Sequence, residues 1–312
     1  MILRDYDQPQ RLGLNMDAPC ATLGWPNMLV HAHTQRAAYP AHLGPLSLKT
    51  VHAGRELNKV GHARFAVIKG RYLLLNDGQS HAHAVDAGTE VFTVMFRKGL
   101  AEEVLTSLAT SPEKLLGAPD LSGTPTAFFE RTYPDDPVLS ALLSALRAEA
   151  QRRNLGQDEL EERFHPLLVR LLELHHNASC DLDALPAVRF ATRVELYRRL
   201  WRARDFIEAS YTGRVTLKEI AAAAELSPHH LLRLFKRFFG ETPHQLVTKR
   251  RLERARYLLR TGRSVTDTCF DVGFESLGSF SGLFKAQVGV APVHYRAAGT
   301  TQTRKIREAI QA

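Results

Sequence analysis

Cysteine is scarce in this chain. Three residues in 312 (Cys20, Cys180 and Cys269) are too few, odd in number and too far apart for a disulfide scaffold or a thiolate metal centre. A reducing cytoplasm is the expected setting. Long apolar runs are missing as well. No stretch reaches the ~18 consecutive apolar residues of a membrane span, which excludes a spanning helix. The start, Met1-Ile2-Leu3-Arg4-Asp5, lacks a basic segment followed by an apolar core, so no secretory signal is expected. Also missing are a glycine-rich phosphate loop, a nucleophile motif and a zinc-peptidase motif, and an enzyme is therefore not expected.

What the chain does have is a repeat. Ser227-Pro228-His229-His230-Leu231-Leu232-Arg233-Leu234-Phe235-Lys236, then Gly240 and Pro243, recurs as Ser276-Leu277-Gly278-Ser279-Phe280-Ser281-Gly282-Leu283-Phe284-Lys285, then Gly289 and Pro292. Ser, the apolar residue four later, Leu-Phe-Lys, Gly and Pro return at one offset, so two copies of one structural unit are expected. Ser227 is a good N-cap, and Pro228 suits the first helical position, where its missing N–H costs nothing. Leu231, Leu234, Phe235 and Phe238 make one apolar face at 3.6-residue spacing. Gly240 stops the helix and Pro243 opens the next. A short apolar helix over Leu217 to Ala224 precedes the first copy, and one over Val265 to Val272 precedes the second. Short helix, tight turn and capped second helix form a helix-turn-helix arrangement.

The run Gly273-Phe274-Glu275-Ser276, with Phe280, Leu283-Phe284-Lys285, Gly289, Pro292 and Tyr295, resembles the C-terminal signature of the AraC/XylS family of transcription regulators. The likeness covers the segment from about Thr192 to Arg296. Pro243, Arg251, Leu252, Ala255, Leu258 and Leu259 match the family's pattern for a long joining helix. The resemblance implies a seven-helix DNA-binding domain with two helix-turn-helix units. Charge agrees. From Asp181 onward there are 23 Lys and Arg against 13 Asp and Glu, leaving 18 against 20 in the rest of the chain. The basic half favours a polyanionic partner, double-stranded DNA.

The length argues for about two domains. Residues 1 to 45, with scattered prolines, read as loop with at most short strands. Leu46 to Val51, Ala63 to Lys69, Arg71 to Leu75 and Glu90 to Arg97 read as strands, with Phe92, Val94 and Phe96 on one face. Asn76-Asp77-Gly78 is a hairpin-type turn signal. Such strands suggest a small antiparallel barrel or sandwich. The family resemblance, much fainter here, implies a cupin-like β-barrel that binds a small-molecule effector. Tyr72, Phe92, Phe96, His81 and His83 are the candidate effector-binding residues. Seven of the fourteen histidines lie before residue 84, including the pairs His31/His33 and His81/His83. On a strand each pair shares a face. They read first as loop or surface histidines, with a metal site or pocket lining as alternatives, and no metal or cofactor is expected.

Leu100 to Thr110 reads as a helix. Pro137 to Arg153, with Leu139, Leu142, Leu143 and Leu146, and Asp158 to about His176, with Leu160, Phe164, Leu167, Leu168, Leu171 and Leu172, read as an antiparallel helical hairpin. The resemblance implies that helices placed here often dimerise the regulator, and the leucine stripe faces either the barrel or a partner. Asn177 to Phe190 looks like a linker, and Thr192 with Glu195 like a capping box. The expected fold is thus α+β: a barrel over residues 1–110, a hairpin over 111–180, a linker over 181–191, a DNA-binding domain over 192–298 and a tail over 299–312.

A recognition helix presents residues near its N-terminus to the major groove. In the first copy these are Ser227, His229, His230, Leu232 and Arg233, with Lys236 and Arg237 further along. Arg233 is the candidate for bidentate pairing with guanine. In the second they are Ser276, Leu277, Gly278, Ser279 and Ser281, with Lys285. Gly282 stands where the family usually has Arg, so the first copy is expected to supply most base discrimination. The expected function is a DNA-binding transcription regulator controlled by a small molecule, a homodimer with RNA polymerase as a further partner and no membrane association. Two alternatives are a DNA binder whose barrel only dimerises, and a metal-dependent cupin-type enzyme fused to a DNA-binding domain.

Overall fold

Alternating apolar residues in the first hundred positions build strands, and 3.6-residue stripes after them build helices. The computed structural model describes residues 1–4, 25–109, 127–180, 182, 185 and 189–297. They fall into two compact units, Met1–Asp205 and Phe206 onward. The strands are β1 (Ile2–Leu3), β2 (Met28–Thr34), β3 (Ala37–Gly44), β4 (Ser47–Ala53), β5 (Arg55–Val60), β6 (Ala63–Ile68), β7 (Arg71–Leu75), β8 (Gln79–Val85) and β9 (Thr89–Met95). Helix α1 (Leu100–Ala109), strand β10 (Thr132–Pro134), α2 (Pro137–Arg152), α3 (Gln157–Cys180) and α4 (Phe190–Ser210) follow. The division between the units falls within α4.

The strands divide between two sheets, β1-β2-β9-β4-β7-β10 and β3-β8-β5-β6, antiparallel except for the β1–β2 pair. Their facing sides share a core of Met28, Val30, Val51, Phe65, Val67, Leu73, Leu75, Val85 and Val91. The other side of the six-stranded sheet presents Leu48, Tyr72, Leu74, Phe92, Val94 and Phe96 to Val104 of α1, Leu139, Leu143 and Leu146 of α2, and Phe164, Leu167, Leu168 and Leu171 of α3. The leucine stripe therefore faces the sheet and is consumed inside the chain. Phe92, Val94 and Phe96 share a face, as their spacing requires.

Several expectations need correction. The proline-bearing region before residue 46 holds two full strands, β2 and β3. Pro40 is tolerated there because β3 is an edge strand whose register shifts between Tyr39 and His42. Asn76-Asp77-Gly78 is a tight turn, with Gly78 at φ +70°, but it carries the chain from one sheet to the other and closes no hairpin. Helix α3 runs on through Asn177 to Cys180, past the expected start of the linker. Thr192 lies inside α4, which begins at Phe190, and Glu195 accepts a hydrogen bond from Arg199 Nε (2.7 Å) instead of capping. The tail over 299–312 lies outside the described residues, as do residues 110–126 and most of the stretch from 181 to 188.

The second unit is helical: α5 (Leu217–Ala223), α6 (Pro228–Phe239), α7 (Pro243–Arg260), α8 (Val265–Asp271), α9 (Leu277–Val288) and a last stretch over 292–297. Buried Ile220 and Ala221 of α5, Leu231, Leu234 and Phe235 of α6, and Leu246 and Val247 of α7 lie where these three helices pack together. Leu252, Ala255, Leu259, Cys269, Val272, Phe280 and Phe284 form the core of α7, α8 and α9.

Candidate functional site

The helix ends fix how α6 is presented. Ser227 caps it, its Oγ accepting the His230 N–H at 3.3 Å, with Pro228 in the first turn. Gly240 ends it at φ +76°, and the Thr242–Gln245 capping box starts α7 immediately after. With Leu231, Leu234 and Phe235 turned inward, the opposite face is fixed. Ser227, His229, Leu232, Arg233, Lys236 and Arg237 are exposed and His230 is half-buried. The structure thus brings all the candidates of the first copy onto one surface. A basic run at the open face of a capped helix suits a phosphate-lined groove.

The second copy repeats the plan with one extra residue. Helices α5 and α8 begin 48 residues apart, Leu217 to Val265, while α6 and α9 begin 49 apart, Pro228 to Leu277. The insertion lies in the turn. There Glu225 takes φ +53° in the first copy and Gly273 φ +91° in the second. At Gly273 a Cβ would stand 2.5 Å from the Thr212 carbonyl oxygen, so only glycine fits. Ser276 caps α9, accepting the Ser279 N–H at 3.2 Å. Leu277, Gly278, Ser279 and Lys285 are exposed and Ser281 is half-buried. A Cβ added at Gly278 or Gly282 would meet nothing within 4 Å, so at these two positions the outward face of α9 is bare. A groove of about 940 Å³ within this unit is lined by Thr216, Leu232, His244, Arg251, Ser276 and Leu283, among others. Arg251 is held there, donating from Nε to the Tyr211 carbonyl (2.7 Å) and from Nη2 to the Gly213 carbonyl (2.8 Å). His244 and Leu283, which line the groove, are not among the candidates from the sequence. The repeat equates Leu283 with Leu234, yet Leu283 is 39% exposed and Leu234 only 2%.

Residues 220–298 match the family described as Helix-turn-helix domain. The HTH-type transcriptional activator AarP of Providencia stuartii is 33% identical over 96 residues, 30% of this chain and 71% of AarP. The chain belongs to the AraC/XylS family of transcription regulators. Within that family, the HTH-type transcriptional regulator MtrA of Neisseria gonorrhoeae is 38% identical over 182 residues, 57% of this chain and 58% of MtrA. The solved structure of an AraC-type transcriptional regulator from Chromobacterium violaceum is 30% identical, with 32% of this chain and 91% of that one covered and a TM-score of 0.31. The match spans only 34% and 44% of the length of two Bacillus subtilis relatives.

In this AraC/XylS-family chain the N-terminal unit carries a buried polar cluster between the sheets. Lys49 and Glu56 form an ion pair of 2.5 Å, both fully buried. Asn58, His81, His83 and Thr93 are buried beside the same interior. Neither amide atom of Asn58 has a hydrogen-bond partner, nor does Glu56 Oε2 or Thr93 Oγ1. Burial, and then the Lys49 ammonium, pull the His81 imidazole down to about 3 and hold His83 far below the usual histidine range. Both rings are therefore neutral near neutral pH.

The five candidate effector residues do not come together. His81 and His83 point between the sheets, whereas Tyr72, Phe92 and Phe96 lie on the opposite side of the six-stranded sheet, in the core shared with the helices. Tyr72 stacks on Tyr133 at 5.1 Å and Phe96 packs against Phe164 at 5.2 Å, so all three are packing residues. The loop-or-surface reading of the histidine pairs is corrected too. His31, His81 and His83 are buried strand residues, and of the two pairs only His33 is exposed.

Proposed function

We propose that the chain is a transcription regulator that binds double-stranded DNA through the unit from Phe206 onward and is controlled by a small molecule bound in the N-terminal unit. The observation that carries the DNA reading is the outward face of α6, where Arg233, Lys236 and Arg237 stand beside exposed His229 and Leu232 on a helix capped at both ends. In this reading α6 enters the major groove and Arg233 reads a base. His229, His230 and Leu232 line the same approach, and Ser227, Lys236 and Arg237 contact phosphate. Helix α9 enters the next groove about 34 Å away. Ser276, Ser279 and Lys285 hold the backbone there, while Leu277 and Ser281 make the few base-edge contacts. The relatives AarP and MtrA, both described as transcriptional regulators, support the reading.

The interior cluster supports the effector part. Unpartnered polar atoms of Asn58, Thr93 and Glu56 in a buried space are the kind of feature that a bound polar molecule explains. The effector-binding residues of the reading accordingly become His81 and His83 with Asn58 and Thr93. The N-terminal sandwich serves as the cupin-like sensor, in a cytoplasmic protein that works with RNA polymerase. A homodimer belongs to the same reading, but it has to use a surface other than the leucine stripe. The test is a selection of binding sites from random duplex DNA by the full chain, followed by fluorescence anisotropy on the selected duplex. A defined consensus, with preference relaxed at one base pair when Arg233 is replaced, is the expected result. Binding with no sequence preference would sink the reading.

A further inference from the structure

Three imidazoles converge where β3 meets β8. His42 pairs with His81 across the ladder and Tyr39 with His83. Ordinary alternation would place Tyr39 and His42 on opposite faces. The register shift at Pro40 and Ala41 changes that, because an extra residue at a bulge re-aims the next side chain. His42 thus joins His81 and His83, with ring centroids 4.4 Å from His81 and 5.5 Å from His83. One ring nitrogen from each histidine lies within 4.8 Å of the other two.

The rings are oriented. His42 Nδ1 is 3.0 Å from the Pro40 carbonyl oxygen, and His81 Nδ1 is 3.5 Å from that of Gln79. An Nδ1–H donated to a backbone carbonyl leaves Nε2 with its lone pair free, the usual outer-shell arrangement of a metal-bound histidine. A Cβ at Gly44 would approach His81 Cε1 to 3.2 Å, so a small residue at 44 leaves this ring its room. Asn58, paired in register with His83 and 2% exposed, turns an amide with no partner toward the same interior.

We propose that His42, His81 and His83 form a binding site for a divalent transition metal of the zinc and cobalt class, with its fourth position open toward Asn58. Three nitrogen donors without a carboxylate suit these ions and do not suit calcium or magnesium. Tetrahedral bonds of ~2.1 Å put ligand nitrogens ~3.4 Å apart, so small rotations of the three side chains complete the site. The Lys49 ammonium is neutralised by Glu56 at 2.5 Å, which leaves the cluster formally uncharged. The bound dication then favours an oxygen anion, hydroxide or carboxylate, in the open position. His42, half-exposed on an edge strand, provides the way in. The other histidine group, His31, His33 and Glu90, is already used. Glu90 Oε1 accepts Arg147 Nη1 at 2.7 Å and lies 3.0 Å from His31 Nε2.

The test uses the full chain, chelator-treated and free of DNA, titrated with Co²⁺ and Zn²⁺, so its outcome does not depend on the DNA reading. One Co²⁺ per chain with the visible absorption of a four-coordinate ion, displaced by one Zn²⁺, is expected. His42→Ala changes a half-exposed residue and should fold normally by circular dichroism while binding weakens at least ~100-fold, the upper end for disturbing even an outer-shell partner. His33→Ala should leave binding unchanged. No stoichiometric binding overturns the proposal, as does binding that survives His42→Ala or is lost in His33→Ala.

Discussion

Removing the guanidinium of Arg233 tests one base contact. Arg233→Ala is expected to weaken binding to the selected duplex by about 1–3 kcal/mol and to relax preference at one base pair, whereas Lys236→Ala should weaken all sequences alike. Anisotropy against a panel of single-base variants separates the two, and an unchanged Arg233→Ala protein would remove the assignment. In the N-terminal unit the informative residue is Lys49. Lys49→Met strands the Glu56 carboxylate inside the sandwich and should cost about 3–5 kcal/mol by urea unfolding. Adding Glu56→Leu should recover most of the loss, and failure of that rescue would mean that the pair does more than neutralise itself. The outward position of Arg233 was legible because Leu231, Leu234 and Phe235 fix the inward face. Lys49 was not legible, since an isolated lysine in an apolar strand says nothing of the glutamate that meets it seven positions later.

Helix ends and helix faces decide the next level. Gly278 and Gly282 sit in α9 with open space where a Cβ would go. Ala at either position should stabilise the chain by about 0.5–1 kcal/mol in thermal unfolding. If the bare face is what lets α9 lie close to the backbone of DNA, the same changes will reduce affinity. A gain in stability with unchanged affinity would show that the face is not in contact. At the start of α2, Asp136 accepts the Leu139 N–H (2.9 Å) and hydrogen bonds from Arg170 Nε (3.0 Å) and Nη2 (2.8 Å). Its carboxyl is held below the ordinary aspartate value by Arg170 first, and by the cap. A depressed carboxyl adds stability that is present above the unfolded pKa, ~4, and is lost as pH falls through the lower folded value. Asp136→Asn should therefore lose less stability than the parent between about pH 5 and pH 3, a difference that urea titrations would reveal. The caps of α6 and α9 were readable from Ser, Pro and Gly at fixed offsets. The start of α4 was not, because a Thr and a Glu three apart also occur inside helices, where Arg199 takes the glutamate.

The whole chain divides its charge unevenly, with the excess of Lys and Arg after Asp181. Affinity for DNA should fall steeply with salt, each phosphate contact adding ~0.9 to the slope of log K against log salt, and Lys236→Ala should lower that slope by about 1. A flat salt dependence would contradict a phosphate-dominated interface. The helical half could be read almost in full because its signals are local: caps, turns and one repeat. The two sheets could not. Their pairing joins distant segments such as β2 and β9. The side that each strand turns inward depends on features such as the bulge at Pro40, which an alternating pattern hides. Tyr72, Phe92 and Phe96 lie on a face that alternation marks as buried without telling whether the second sheet or the helices cover it, and here the helices do.

The bare face of α9 has a consequence for how a regulated set of genes would grow. If, as proposed, α6 reads bases and α9 mostly holds the backbone, the information in a binding site would be concentrated in one half. A promoter would then need only that half to come under control, and the other half would be free to drift. Aligned natural sites should then show one sharp block of fixed bases and, a helical turn away, a region in which almost any sequence persists.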